Sequence, residues 1–309
     1  MRVGAIDCGT NSIRLLIADV PADGTPLIDV VREMRIVRLG EGVDRTGEFS
    51  ATALDRVFAA CDEYAALLAA HPVTALRFVA TSASRDVSNR GAFVDGVRAR
   101  LGVEPQVISG EEEAGLSFLG AVRGLPPLSA PVLVVDIGGG STEFILGGAE
   151  ATSPIRASIS VDVGCVRMTE RHLAGDPPTP AQVDAVQDDL AAALTRVQAA
   201  VPIREAATVV GVAGTVTTVA AMAMGLDSYD PAVLHGAVVT AAQVEGVTDR
   251  LLAMSHAERA ALPFMHPGRV DVIAGGAMVL RAVVRATGCP AVIASETDIL
   301  DGIAYRLAS

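Results

Sequence analysis

The chain opens on an apolar run, Val3 to Ile6, that closes in Asp7. A second apolar run over 13–19 follows a short polar, glycine-bearing turn. Short length and turn boundaries predict strands at 3–7 and 13–19, joined as a hairpin. Residues 27–38 set Val31, Met34, Ile36 and Val37 among charged positions and predict a third strand. Residues 50–70 change period: Leu54, Val57, Phe58, Cys61, Tyr64 and Leu68 share one helical face, started by Ser50 or Thr52. A buried strand at 76–80 ends in the polar turn Thr81-Ser82-Ala83-Ser84-Arg85-Asp86. A helix at 91–101, a strand at 106–108 and a helix opened by Ser109-Gly110 complete this half. That last helix carries Glu111, Glu112 and Glu113 in its first turn.

Gly124 to Pro131 holds Pro126, Pro127 and Pro131, a break that marks a domain boundary. The second half repeats the plan, with strands at 131–136, 142–147 and about 155–161, then helices at 164–173 and 180–199. A strand at 209–212 leads into the small, polar stretch Ala213-Gly214-Thr215-Val216-Thr217-Thr218, read as a turn. Helices at about 241–253 and 268–287, a strand at 291–294 and a final helix to 308 follow. The expected division is a first domain over 1–122 and a second over 123–309, with the helix at 298–309 packing back on the first. Each domain is α/β with a mixed sheet.

The two hairpins are copies. Asp7-Cys8-Gly9-Thr10-Asn11-Ser12 aligns without a gap on Asp136-Ile137-Gly138-Gly139-Gly140-Ser141. Such a strand-turn-strand unit offers backbone N–H groups and hydroxyls to an anion, and successive glycines let the backbone approach it closely. The candidate phosphate-binding residues are therefore Gly9, Thr10, Asn11 and Ser12 with Gly138, Gly139, Gly140, Ser141 and Thr142. Two facing copies would close on a polyanion across an interdomain cleft. Asp7 and Asp136 end their strands, and hard carboxylate oxygens suit Mg²⁺ or another hard divalent cation. Structural capping of the turns is the alternative use of each Asp. Arg14 is a second candidate grip on phosphate, although alternation along the strand could direct it elsewhere.

Charge limits the partners. The net charge of −12 argues against nucleic acid. It also means that a bound polyanion must be held by local arginines, backbone dipoles and a cation. All 24 basic residues are Arg, so chemistry that needs a lysine is excluded. Cys8, Cys61, Cys165 and Cys289 are far apart and form no zinc spacing, so buried, reduced thiols are expected. No apolar run reaches the roughly 20 residues of a membrane span, and no secretory leader is evident, which points to the cytoplasm.

Five stretches, in order along the chain, resemble the exopolyphosphatase and guanosine pentaphosphate phosphohydrolase family: Asp7 to Arg14, Ala80 to Asp86, Ile108 to Ala114, Asp136 to Glu143, and Gly211 to Thr215. One glycine turn would say little; five in this order are specific. The resemblance is to the family's compact two-domain members and implies a duplicated actin-like (ribonuclease H-like) fold. It implies that inorganic polyphosphate is the substrate, with Mg²⁺-assisted attack of water on the terminal phosphoryl group. Guanosine pentaphosphate or another nucleotide is the alternative substrate. A non-catalytic sensor of phosphate chains on the same fold is the alternative class, and assembly as a homodimer is left open. By the same resemblance Glu113 aligns with the proposed catalytic glutamate, Arg85 with a family arginine, and Glu143 with a second glutamate that could be the base. In related kinases a turn such as 211–215 meets adenosine; here Gly214 and Thr215 become candidates for holding phosphate or nucleotide.

Overall fold

The computed structural model describes residues 1–22, 25–85, 87–151 and 153–309. Asp86, the end of the expected polar turn, lies outside the described residues. The chain divides into two compact units, Met1–Gly124 with Ile299–Ser309, and Leu125–Asp298.

In the first unit, β1 (Arg2–Cys8), β2 (Ser12–Asp19) and β3 (Ile28–Ile36) form an antiparallel meander. A short α1 (Val43–Thr46) precedes α2 (Ala51–Ala70), which Ser50 caps by accepting the N–H of Ala53. Next come β4 (Ala75–Ala80), the 3₁₀ turn Ser82–Ser84, α3 (Arg90–Leu101), β5 (Gln106–Val107) and α4 (Gly110–Arg123). The sheet order is β3-β2-β1-β4-β5, with β4 and β5 parallel to β1.

The second unit contains β6 (Val132–Ile137), β7 (Thr142–Gly147), β8 (Ile155–Val161), α5 (Cys165–His172) and α6 (Pro180–Ala200). It continues with β9 (Thr208–Val212), α7 (Ala213–Met224), α8 (Pro231–Leu234), β10 (Val238–Thr240), α9 (Ala241–Ala253) and α10 (His256–Ala260). It ends with α11 (Ile273–Thr287) and β11 (Ala291–Ala294). Read from β8, its sheet runs β8-β7-β6-β9-β11-β10, the first sheet's order with one extra edge strand. The fold is thus a duplicated α/β plan of the actin-like type.

Two readings of the sequence change. The stretch from Ala213 is the start of α7, not a turn, and the helix at 268–287 begins only at Ile273, after the 3₁₀ turn Pro267–Arg269. Gly214 and the β-branched Thr215 to Val219 lower helix propensity, but burial of Thr215 to Met222 overrides it.

The last helix, α12 (Ile299–Ala308), belongs to the first unit. Its Ile299, Leu300, Ile303, Ala304 and Tyr305 join Val3, Ala5, Leu16, Val79, Ile108 and Leu116 in one buried cluster. Gly302 sits against the backbone of Leu116, an approach that a side chain would block.

Candidate active site

Strand register puts the candidate residues of the first unit on one sheet edge. Cys8, Ala80 and Val107 lie side by side across β1, β4 and β5. The turn Gly9–Asn11, the 3₁₀ turn Ser82–Ser84 and the start of α4 therefore leave the sheet together. They are tied to one another: Thr81 N–H donates to the Cys8 carbonyl (3.1 Å), and the Thr10 and Ser82 hydroxyl oxygens are 3.1 Å apart. The second unit repeats this edge. Asp136 lies beside Val212, and Gly211 beside Ala294, so the turn at 138–141, the start of α7 and Ser295–Asp298 leave together.

The two glycine turns share one geometry. Gly9 N–H donates to the Ser12 carbonyl at 3.0 Å, and Gly138 N–H to the Ser141 carbonyl at 3.0 Å. Five of their other carbonyls are hydrogen-bonded within the protein. Asn11 O accepts from Val37 and Arg38, and Thr10 O from Gly40. Gly138 O accepts from Cys165, Gly139 O from Val166 and Arg167, and Gly140 O from Arg167 Nε at 2.7 Å. Among the described residues, no acceptor meets the N–H of Thr10, Asn11, Gly139, Gly140 or Ser141. A ring of N–H groups with its carbonyls anchored elsewhere is what an anion needs. Backbone strain flanks both edges: Arg38 has φ 46° beside the first turn, and Ala213 has φ 68° at the start of α7. The hydroxyl of Thr142 is spent on the Val163 carbonyl at 2.6 Å.

Beyond the turns the copies diverge. Asp7 faces Arg14 across β1 and β2, and Arg14 donates to Asp7 Oδ2 through Nη2 (2.6 Å) and Nε (3.1 Å). The guanidinium of Arg14 is thus engaged with Asp7. In the second hairpin the same position facing Asp136 is Glu143. Both carboxylates are buried, and Glu143 Oε1 accepts from the Ser160 hydroxyl at 2.7 Å.

The three acids at the start of α4 are also sorted. Ser109 caps the helix, and Glu112 reaches out to Arg77. Glu113 is 7% exposed and pairs with Arg85, whose Nε donates to the Ile108 carbonyl at 3.0 Å. Adjacent helical residues point about 100° apart, so one of the two goes to each side. The pair Arg85–Glu113 brings together two candidates that lie far apart in sequence.

Residues 16–309 match the Ppx/GppA phosphatase family. The chain belongs to that family. Exopolyphosphatase 2 of Mycobacterium tuberculosis is 49% identical over 318 residues, spanning 99% of this chain and 98% of its own. The crystal structure of an exopolyphosphatase from Cytophaga hutchinsonii superimposes with a TM-score of 0.91 at 26% identity, covering 99% of this chain and 97% of that one. The Aquifex aeolicus PPX-GPPA enzyme gives 0.82 at 30% identity, covering 99% of each. Membership in a phosphatase family makes this chain a hydrolase of phosphate bonds.

Within this family member, the start of α7 holds a residue that the sequence reading passed over. The guanidinium of Arg269 packs directly on Gly214, in the place a side chain there would fill. It donates to Thr218 Oγ1 at 3.2 Å and stands 5.7 Å from the centre of the Tyr229 ring. The Tyr229 hydroxyl is 2.6 Å from Glu296 Oε1 and 2.7 Å from Thr217 Oγ1, and burial pushes its pKa up to about 12. Arg269 stands near no recognisable motif, and only the fold brings it to Gly214. Thr215 is buried beside Gly276 of α11 and Cys165 of α5. Cys8 is fully buried, which raises its thiol well above the ordinary range and makes it a poor nucleophile. No helix among the described residues is long and apolar enough to cross a membrane.

Proposed function

We propose that this chain is an exopolyphosphatase that releases orthophosphate from the end of inorganic polyphosphate with the help of Mg²⁺. The observation that carries this reading is the pair of equivalent glycine turns, each with N–H groups that no acceptor among the described residues meets and with carbonyls held by the protein. A chain of phosphoryl groups presents non-bridging oxygens that such groups can meet repeatedly. Full-length likeness to a protein named exopolyphosphatase 2 supports the same substrate. Guanosine pentaphosphate carries the same anhydride and is the comparison substrate.

The residues divide the work as follows. Glu113 accepts the proton of the attacking water. Arg85, already hydrogen-bonded to Glu113, grips a phosphoryl oxygen and offsets the charge that develops there. The water oxygen bonds to the terminal phosphorus as the bridging P–O bond breaks, and the shortened chain leaves with the bridging oxygen. In the first unit Gly9 to Ser12 offer N–H groups to phosphoryl oxygens; in the second unit Gly138 to Ser141 offer the same, with Arg269 beside Gly214 as a cation.

Among the described residues, no group of three or more His, Cys, Asp and Glu forms a metal cage. Mg²⁺ requires none, because it keeps several waters and is held by one or two carboxylates together with substrate phosphates. Asp136 and Glu143 fit this need: they are buried, directly opposite each other in the ladder, and like-charged. Two neighbouring carboxylates offer hard oxygens of the kind a divalent cation takes. Asp7, which faces an arginine in place of a second acid, is the weaker candidate. Bound there, Mg²⁺ would supply neutralising charge to the phosphoryl oxygens.

The test is phosphate release from polyphosphate of defined length and from guanosine pentaphosphate, side by side, with and without Mg²⁺. Release from polyphosphate that needs Mg²⁺ is expected. Glu113→Gln should lower kcat by about 10²–10⁴-fold, the usual worth of a general base, with little change in substrate binding. Glu112→Gln should match the wild type. No release from either substrate would end the proposal, and full activity of Glu113→Gln would remove that residue from it.

A further inference from the structure

The duplication supplies an internal comparison. Across the first sheet, the ladder joins Asp7 to Arg14 and Arg14 to Met34. Across the second, the equivalent ladder joins Asp136 to Glu143 and Glu143 to Ser160. Directly opposed residues project from the same face of a sheet, so each row is a line of three neighbouring side chains. The first row reads acid, cation, thioether. The second reads acid, acid, hydroxyl, and its hydroxyl is in use: Ser160 Oγ donates to Glu143 Oε1 at 2.7 Å.

We infer that Ser160 is a positioning residue: its hydroxyl fixes the carboxylate of Glu143 in the orientation in which, with Asp136, it receives the cation. This rests on the proposed assignment of Mg²⁺ to Asp136 and Glu143. Three observations carry it. Glu143 is 1% exposed, so bulk water is a poor substitute for the hydroxyl. A carboxylate turns about its last bond with little resistance, because that torsion is broad and roughly two-fold. A donor on Oε1 breaks that symmetry and distinguishes the two oxygens. Third, the matching place in the first row is Met34, where the residue facing Asp7 is an arginine in place of a second acid. The hydroxyl occurs only in the row where two acids face each other.

Groups that orient metal ligands without touching the metal typically matter 10–100-fold for metal affinity. The experiment therefore reads metal binding directly, with Mn²⁺ as the probe and free Mn²⁺ followed by electron paramagnetic resonance on the full chain. Ser160→Ala should bind Mn²⁺ about tenfold more weakly, and its phosphate release should need about tenfold more Mg²⁺ for half-maximal rate. At saturating Mg²⁺ its KM for polyphosphate should equal that of the wild type. Ser160→Thr and Ser160→Val are nearly equal in shape and differ in the hydroxyl. Thr should restore Mn²⁺ binding to within about threefold and Val should not. This pair decides the matter if Ser160→Ala fails to fold. Asp136→Asn separates the two levels of the argument. If it abolishes Mn²⁺ binding while Val binds as well as Thr, the role of Ser160 is overturned and the metal assignment stands. If Asp136→Asn binds Mn²⁺ like the wild type, the metal assignment itself falls, and this inference with it.

Discussion

His266 opens the 3₁₀ turn that carries Arg269, and its Nδ1 accepts the N–H of Gly268 at 3.1 Å. Burial, and then the nearby Arg269, hold its pKa below the ordinary value. The folded protein therefore gives up the ring proton more readily than the unfolded chain, which takes one up near pH 6.5. Stability from this residue is present above about pH 6.5 and drains away as pH falls from there toward the lower folded value. Thermal unfolding between pH 7.5 and 5.5 should show a steeper decline for the wild type than for His266→Asn, which can keep an acceptor but does not titrate. Parallel declines would refute the assignment. At this scale the glycines, Glu113 and Arg85 were readable because they sit in motifs. Three other facts were not: Arg14 lies on Asp7, Ser160 lies on Glu143, and Arg269 covers Gly214. Each depends on strand register or on a loop returning from far along the chain, and local spacing encodes neither.

Among the elements, α5 braces the second turn. The N–H groups of Cys165, Val166 and Arg167 are all given to carbonyls of Gly138 and Gly139. The close fit depends on Gly164. A methyl group there would stand 2.5 Å from the Gly139 oxygen and 2.8 Å from the Gly138 oxygen. Its φ of −156° is ordinary extended backbone, so space rather than conformation requires the glycine. Because the obstructing atoms are backbone, the turn itself must shift. Gly164→Ala should cost about 1–3 kcal/mol in urea unfolding, the usual range for overpacking, and should lower phosphate release as well. A variant with wild-type stability and activity would show that the turn tolerates displacement. Most elements were readable because amphipathic periods and caps were strong, as with Ser50 before α2 and the capping box of Thr179 and Gln182 before α6. The exception, α7, is buried over most of its length and gave no amphipathic period to read.

For the molecule as a whole, α12 completes the first unit. Asp301 on this helix is fully buried and accepts from Arg32 of β3 through Nη2 (2.6 Å) and Nη1 (3.3 Å). Asp301→Ala should cost about 3 kcal/mol, at the lower end for a broken buried pair, because the Arg32 side chain is 34% exposed and can find water. Chemical denaturation measures this, and a change below about 1 kcal/mol would place the pair among surface salt bridges. The repeated order of hairpin, strand and helix was enough to read the duplication from sequence. The ownership of α12 follows from apolar contacts with β1 and α4, which composition alone does not specify.

A consequence of this discontinuous first unit concerns biosynthesis. Residues up to Gly124 leave the ribosome before Leu125–Asp298, and the helix that seals Val3, Ala5, Leu16 and Val79 is made after it. At about 5–20 residues per second, translating Leu125–Asp298 imposes a wait of roughly 10–35 s. Throughout it, the nascent amino-terminal sheet carries an oily face with no native cover. Completion of this sheet's core therefore waits on synthesis of the helix at Ile299–Ala308, long after its strands are made.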